Sequence, residues 1–343
     1  MASLKPRVDW VDYSKGLCIV LIVMMHSTLG VEEAMNGAVG FLHPVVDFAK
    51  PFRMPDFFLI AGLFLSRAID RDWGHYADKK VVHYLYFYVL WLLISFAFKA
   101  PSLAGELGWS GVGELFLLSF IDPFGTLWFI YLLPVLFVVV KLTKQFRIPS
   151  QLVLVVGAAL EILPIHTGWM VIDEFATRFV FFYIGYLFAP FVFRLAETAI
   201  RHVGPTIVVL LAWAVANWVL VDTGIAPLPV VSLAWGLVGC MAVVAFGALM
   251  SLTRIGAPLR YLGENSIVLY LAFFIFMAGA RTVLVSTGII TDVGVISLIV
   301  TAAGVIGPVL MYWAVRNTPL HFLFRRPAWV TFRRQPKQLA PAE

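Results

Sequence analysis

Long, nearly uncharged runs recur along the whole chain, near residues 14–32, 52–68, 82–99, 125–143, 149–166, 174–193, 204–222, 230–252, 265–285 and 292–315. Of the 343 residues 61% are hydrophobic and only 13% charged, more apolar surface than a soluble domain can bury. A helix of roughly 20 residues crosses a hydrocarbon core of about 30 Å. A membrane strand instead alternates in and out over about ten residues, and these runs are continuously apolar. The expected fold is all-α, a polytopic membrane helix bundle of about ten transmembrane helices. That excludes a soluble enzyme, a secreted disulfide scaffold and a disordered chain. The polar, Gly-rich stretch 105–122 reads as an interfacial or re-entrant piece, and 37–50 is similarly short.

Lys and Arg collect in every second connection, as expected of cytoplasmic loops. Lys5, Arg7 and Lys15 precede the first run; Arg67, Arg71, Lys79 and Lys80 follow the second. Lys141, Lys144 and Arg147, then Arg194 with Arg201, then Arg254 with Arg260, continue the series. Arg316, Arg325, Arg326, Arg333, Arg334 and Lys337 close it. The alternate connections carry Glu32, Glu33, Glu106, Glu114, Asp173, Asp222 and Asp292, with Lys99 the main basic exception. Both termini are therefore expected in the cytoplasm, with a cytoplasmic segment over 1–13, one transmembrane domain over 14–315 and a basic tail over 316–343. The tail fits lipid headgroups better than nucleic acid.

Asp9, Asp12 and Lys15 stand before the first run and no small-residue cleavage site follows it, so this span is expected to stay in the mature protein. Cys18 and Cys240 sit in separate apolar runs and read as packing residues, with no metal site expected. The chain shows no repeat of fixed period and no Gly-rich nucleotide loop.

A charge inside a span costs about 2.5–3.5 kcal/mol on insertion scales, so such groups face a bundle interior or a watery cavity. They are His26, Lys50, Arg53, Asp56, Glu161, Arg178 and Arg281. Lys15 and His26, eleven residues apart, share one helix face and are separated by roughly 16 Å along the axis. Asp56 stands at the same remove from Arg67 on the next span, so His26 and Asp56 share one depth. Arg53 and Asp56 have the spacing of an ion pair, with Pro55 between them. Two readings stay open: a general base with a carboxylate to fix its tautomer, or a helix-packing histidine beside a structural Arg–Asp pair. Arg178 reads as an anion or polyol ligand, Arg281 as a side chain reaching outer headgroups, and Glu161 as a partner of Arg178 or a water-facing group. Trp128 is an interfacial anchor or a substrate platform. Arg67, Arg71, Lys79 and Lys80 serve orientation or bind phosphates.

Lys15-Gly16-Leu17 followed by His26, and Phe52-Arg53-Met54-Pro55-Asp56-Phe57-Phe58 running on to Ala61-Gly62, resemble the acyltransferase 3 family of integral membrane acyltransferases. Leu127-Trp128-Phe129, Arg178 with the aromatic run to Gly185, and Leu262-Gly263-Glu264-Asn265-Ser266 leading to Tyr270 extend the likeness to about residue 275. Within the family the chain looks most similar to the fucose 4-O-acetylase-like branch. The resemblance implies an acyltransferase-like domain over 14–315 and transfer of an acyl group, commonly acetyl from acetyl-CoA, to a hydroxyl of a carbohydrate or glycolipid outside the cytoplasm, at a bacterial inner membrane. It makes His26 the catalytic histidine, Lys15 its basic partner, and Arg53 and Arg178 functional arginines. On this reading Asp56 orients His26, and Lys15, Arg67, Lys79 and Lys80 meet the phosphates of the acyl-CoA donor. Glu161, Arg178 and Trp128 meet the acceptor, and no resident cofactor is needed. Three positions depart from the pattern: Ala61 replaces a serine, Phe273 stands where relatives often carry histidine, and Asp56 replaces an apolar residue. The competing classes are a transporter or flippase using the same buried charges, which forms no acylated product, and an idle assembly partner indifferent to loss of His26.

Overall fold

A computed structural model describes residues 8–331; Lys5, Arg7, Arg333, Arg334 and Lys337 lie outside the described residues. The regular structure of residues 8–331 is all helical, with no strand among the described residues. In chain order the helices are α1 (Asp9–Ala34), α2 (His43–Ala49), α3 (Arg53–Leu63), α4 (Trp73–Ala77), α5 (His83–Leu118), α6 (Trp128–Gln145) and α7 (Ser150–Ile162). They continue as α8 (Met170–Leu187), α9 (Ala189–Arg201), α10 (Val203–Asp222), α11 (Val231–Met250), α12 (Ala257–Glu264), α13 (Ser266–Thr287) and α14 (Val293–Val315).

Seven of the described helices are long and apolar enough to cross a bilayer, eight if α8 and α9, bent by 75° at their junction, count as one broken span. The sequence reads as about ten. The difference lies in the second and fifth runs, where α3 has 11 residues and α7 has 13, each short of a crossing by itself. The segment from 105 also differs from expectation. A helix begun at Trp73 runs on through it to Leu118, broken only where Gly108 adopts φ 70° and ψ 165°. Along α10, Val208, Val209, Leu211 and Val215 are each at least 63% exposed. An apolar stripe of that size is unsuited to water and suited to lipid, and the chain is a multi-pass integral membrane protein.

The helices form two compact units. Of the described residues, one comprises 8–66 with Ile148–Ala314 and the other Arg67–Arg147 with 315–331. In the first, two helix crossings are close enough that only glycine fits. A Cβ on Gly185 of α8 would stand 2.8 Å from the carbonyl carbon of Leu59, and one on Gly62 of α3 would stand 2.9 Å from the amide of Tyr186. Gly16 of α1 and Gly263 of α12 meet in the same reciprocal way. Small residues let backbones approach where packing must replace the hydrophobic effect. These four glycines belong to the sequence motifs, so the motifs mark helix crossings.

In the second unit the chain after α14 is tied to α4–α5. Trp91 Nε1 donates to the carbonyl of Leu323, and Arg326 pairs with Asp78 at 2.8 Å, both side chains under 9% exposed. Lys141 is buried and donates to the carbonyls of Ile69 and Arg71.

Candidate active site

The first unit gathers most of the ionisable residues found in apolar runs. His26, eleven residues beyond Lys15 on α1, is partly exposed and has Phe273 of α13 beside it, with ring centroids 5.5 Å apart. Phe273 is wholly buried. One of the three departures from the motif pattern thus borders the histidine directly.

Arg53 opens α3 and is 7% exposed. Its Nη1 donates to the carbonyl of Val46 at 2.6 Å, and its Nη2 lies 2.8 Å from Met25 Sδ. The Val46 carbonyl belongs to the last turn of α2, where helix carbonyls lack partners of their own and the dipole is negative. A guanidinium so placed ties α1, α2 and α3 together. Among the described residues it forms no close ion pair, and the carboxylate whose charge acts on it is that of Asp47. It lies within electrostatic range of both His26 and Arg178.

The expected Arg53–Asp56 pair is not formed. Asp56 is fully buried, and its Oδ2 accepts from Cys18 Sγ of α1 at 3.1 Å. Its Oδ1 has no hydrogen-bond partner. Although three residues apart, the two side chains are drawn to different neighbours, one to the end of α2 and one to the wall of α1. No hydrogen bond joins Asp56 to His26 among the described residues. Pro55 does not loosen the helix either. It occupies the third position of α3, where the backbone amide would have no intrahelical acceptor, and Asp56 N donates to Phe52 O at 2.9 Å to close the turn.

Arg178 of α8 is held by Glu174 one turn earlier, Nε to Oε2 at 3.0 Å. Glu161, at the end of α7, accepts from Ser232 Oγ at 2.8 Å through Oε1, while its Oε2 is buried without a partner. Both line a cavity of about 580 Å³, together with Asp47, Lys50, Thr177 and Ser232. That size is usual for a small-molecule site. Pro51 and Pro55, on either side of Arg53, form another part of its wall; His26 is not among its lining residues. Arg281 donates to the carbonyl of Gly30 on α1 and so serves a helix contact.

Three of the proposed donor contacts and one acceptor contact belong to the second unit. There Arg67 and Lys79 are exposed, Lys80 Nζ stands 4.3 Å from the centre of the Phe137 ring, and Trp128 begins α6. Lys15 lies on α1 of the first unit, partly exposed. Among the described residues no cluster of His, Cys, Asp or Glu could hold a metal ion.

Residues 8–313 match the family described as an acyltransferase domain, the acyltransferase 3 family. The chain belongs to it. Two curated relatives are similar over part of their length. The inner membrane protein YcfT of Escherichia coli (strain K12) is 26% identical over 211 residues, covering 53% of this chain and 56% of the relative. The nodulation protein NolL of Sinorhizobium fredii (strain NBRC 101917 / NGR234) is 27% identical over 215 residues, 62% of this chain and 57% of the relative. The chain thus spans little more than half the length of the relatives it matches. No solved structure matches it.

Sequence reasoning missed several residues that complete the site of this acyltransferase-family chain. Glu174 was open to discovery, since it lies four residues before Arg178. Met25, Val46, Cys18 and Ser232 reach Arg53, Asp56 and Glu161 only through the tertiary fold, and no local signal marks them.

Proposed function

We propose that the protein is a membrane-embedded O-acyltransferase, an O-acetyltransferase in its principal activity, that moves an acyl group from cytoplasmic acyl-CoA to a hydroxyl of an extracytoplasmic carbohydrate or glycolipid. The observation that carries the reading is the placement of Arg53. Its guanidinium is bound to the Val46 carbonyl and to the thioether of Met25, the residue before His26 on α1, and Pro51 and Pro55 on either side of it in the chain belong to the wall of the cavity that also carries Arg178.

In the proposed reaction the acceptor oxygen attacks the thioester carbonyl carbon while its proton passes to the free nitrogen of the His26 imidazole. General-base assistance of this kind contributes about 10²–10⁴ in rate. The carbonyl oxygen gains negative charge as the tetrahedral intermediate forms, and Arg53 stabilises it. The carbon–sulfur bond then breaks, the ester remains on the acceptor, and the thiolate of CoA takes the proton from His26. Asp56 is a positioning residue: through Cys18 it fixes α3 against α1, and so Arg53 relative to His26. Lys15 is proposed to meet the donor's phosphates, and Glu161 and Arg178 the acceptor. Alternation of the basic loops supports cytoplasmic termini, and the E. coli relative's printed name supports a bacterial inner membrane.

Purified protein in detergent, supplied with labelled acetyl-CoA and an extract of envelope glycans and lipids, is expected to form acylated product. Binding or movement of solute with no acylated product would favour the transporter reading instead.

A further inference from the structure

The cavity beside Arg53 carries charges of both signs, and their arrangement bears on what it can hold. Lys50 and Arg178 supply two cations to its wall, and Asp47 and Glu161 supply two carboxylates. Arg178, Asp47 and Glu161 each already have a partner. Arg178 is neutralised at Nε by Glu174. Glu161 has one oxygen taken by Ser232. Asp47 Oδ2 lies 3.4 Å from His43 Nε2, and the other nitrogen of that ring lies 2.8 Å from the buried Glu32 of α1.

The segment bearing Asp47 and Lys50 is itself fixed. Arg53 caps the carbonyl of Val46, and the wholly buried Asn217 of α10 donates to the carbonyl of Phe48 at 2.8 Å. Asp47, in the last turn of α2, and Lys50, at its C-cap, are thus presented on a pinned segment.

From this we propose that the cavity selects a neutral polyhydroxyl acceptor, with Asp47, Lys50 and Glu161 as specificity-determining residues; the proposal rests on the acyl-transfer reading and deepens it. A ligand carboxylate or phosphate drawn to Lys50 and Arg178 meets Asp47 and Glu161 in the same space. A ligand ammonium drawn to the carboxylates meets the two cations. A hydroxyl donates one hydrogen bond and accepts others, so a polyol spans carboxylate and cation together without bringing a charge out of water. A sugar ring of unmodified hydroxyls satisfies all of these groups. A uronate or a protonated amino sugar does not.

The test uses the full chain purified in an amine-oxide detergent, since glycosidic detergents would compete for the site. Saturation-transfer NMR is recorded with methyl glycosides of several neutral sugars, the corresponding uronic acids and the corresponding 2-amino sugars. At least one neutral glycoside is expected to bind, with charged counterparts of the same stereochemistry bound at least roughly tenfold more weakly. Glu161→Gln and Asp47→Asn are each expected to weaken the neutral ligand by roughly tenfold, the scale of one charge-assisted hydrogen bond. Circular dichroism and gel-filtration profiles matching the wild type show that both variants are folded. Preferred binding of the uronates or amino sugars, absence of binding by every glycoside, or a neutral ligand indifferent to both substitutions would each overturn the proposal. Acylated product formed from the envelope extract in the face of any of these results would leave acyl transfer standing and remove only the assignment of the cavity.

Discussion

Gly185→Ala alters no ionisable group, yet it acts on the crossing that sets Arg53 and Asp56 of α3 against Arg178 of α8. The new Cβ would lie 2.8 Å from the carbonyl carbon of Leu59 and closer still to its oxygen, whereas ordinary contact begins near 3.4 Å. Backbone cannot rotate away as a side chain can, so α3 and α8 must part. Alanine favours a helix over glycine by up to about 1 kcal/mol, while overpacking a tight contact costs about 1–3 kcal/mol. With alanine's full helix preference subtracted, the net cost is up to about 2 kcal/mol on these scales. Arg178 stands seven residues, two turns, before Gly185, so the separation is passed to the cavity. A misplacement near 1 Å costs on the order of 10² in rate. Thermal unfolding of the purified variant in detergent should show a lowered Tm, and kcat for labelled acetyl transfer should fall by about that factor. A variant with wild-type Tm and wild-type kcat would refute the claim that this crossing sets the site.

Arg53→Lys keeps the charge but cannot span from the Val46 carbonyl to Met25 Sδ, and kcat is expected to fall by about 10²-fold, the scale of losing one oxyanion donor; steady-state kinetics at saturating donor measures it. Phe273→Leu preserves apolar volume beside His26 and removes the ring contact, for an expected loss of up to about tenfold in kcat. In the second unit, Asp78→Ala strands the buried Arg326 and should destabilise by about 3–5 kcal/mol, seen as a marked drop in Tm. The double variant Asp78→Leu with Arg326→Met should recover much of that loss.

The membrane class could be read directly, because continuous apolar runs leave a helix few alternatives. The placement of His26 eleven residues beyond Lys15 on one helix was also legible, from spacing alone, and the cost of charge in lipid singled out Arg53, Asp56 and Arg178 one by one without showing which of them would meet. Span count was less so: hydropathy does not see that α3 stops after 11 residues, or that the chain turns by 75° between α8 and α9. Hydrogen-bond partners were hidden for a different reason. Arg53 and Asp56 have the spacing of an ion pair, but the choice between each other and Val46 or Cys18 is made by helices that meet only in three dimensions. Glu161 and Ser232 are 71 positions apart, and nothing local joins them.

The central claim is that one imidazole takes the acceptor's proton while the donor arrives from the cytoplasmic side. It is tested most directly in proteoliposomes of uniform orientation, with labelled acetyl-CoA confined to the compartment facing the basic loops and glycan acceptor in the other. The wild-type protein is expected to form acetylated glycan, and His26→Ala, inserted to the same level, to lose at least about 10²-fold of that rate. Product formed by His26→Ala at the wild-type rate would contradict the account.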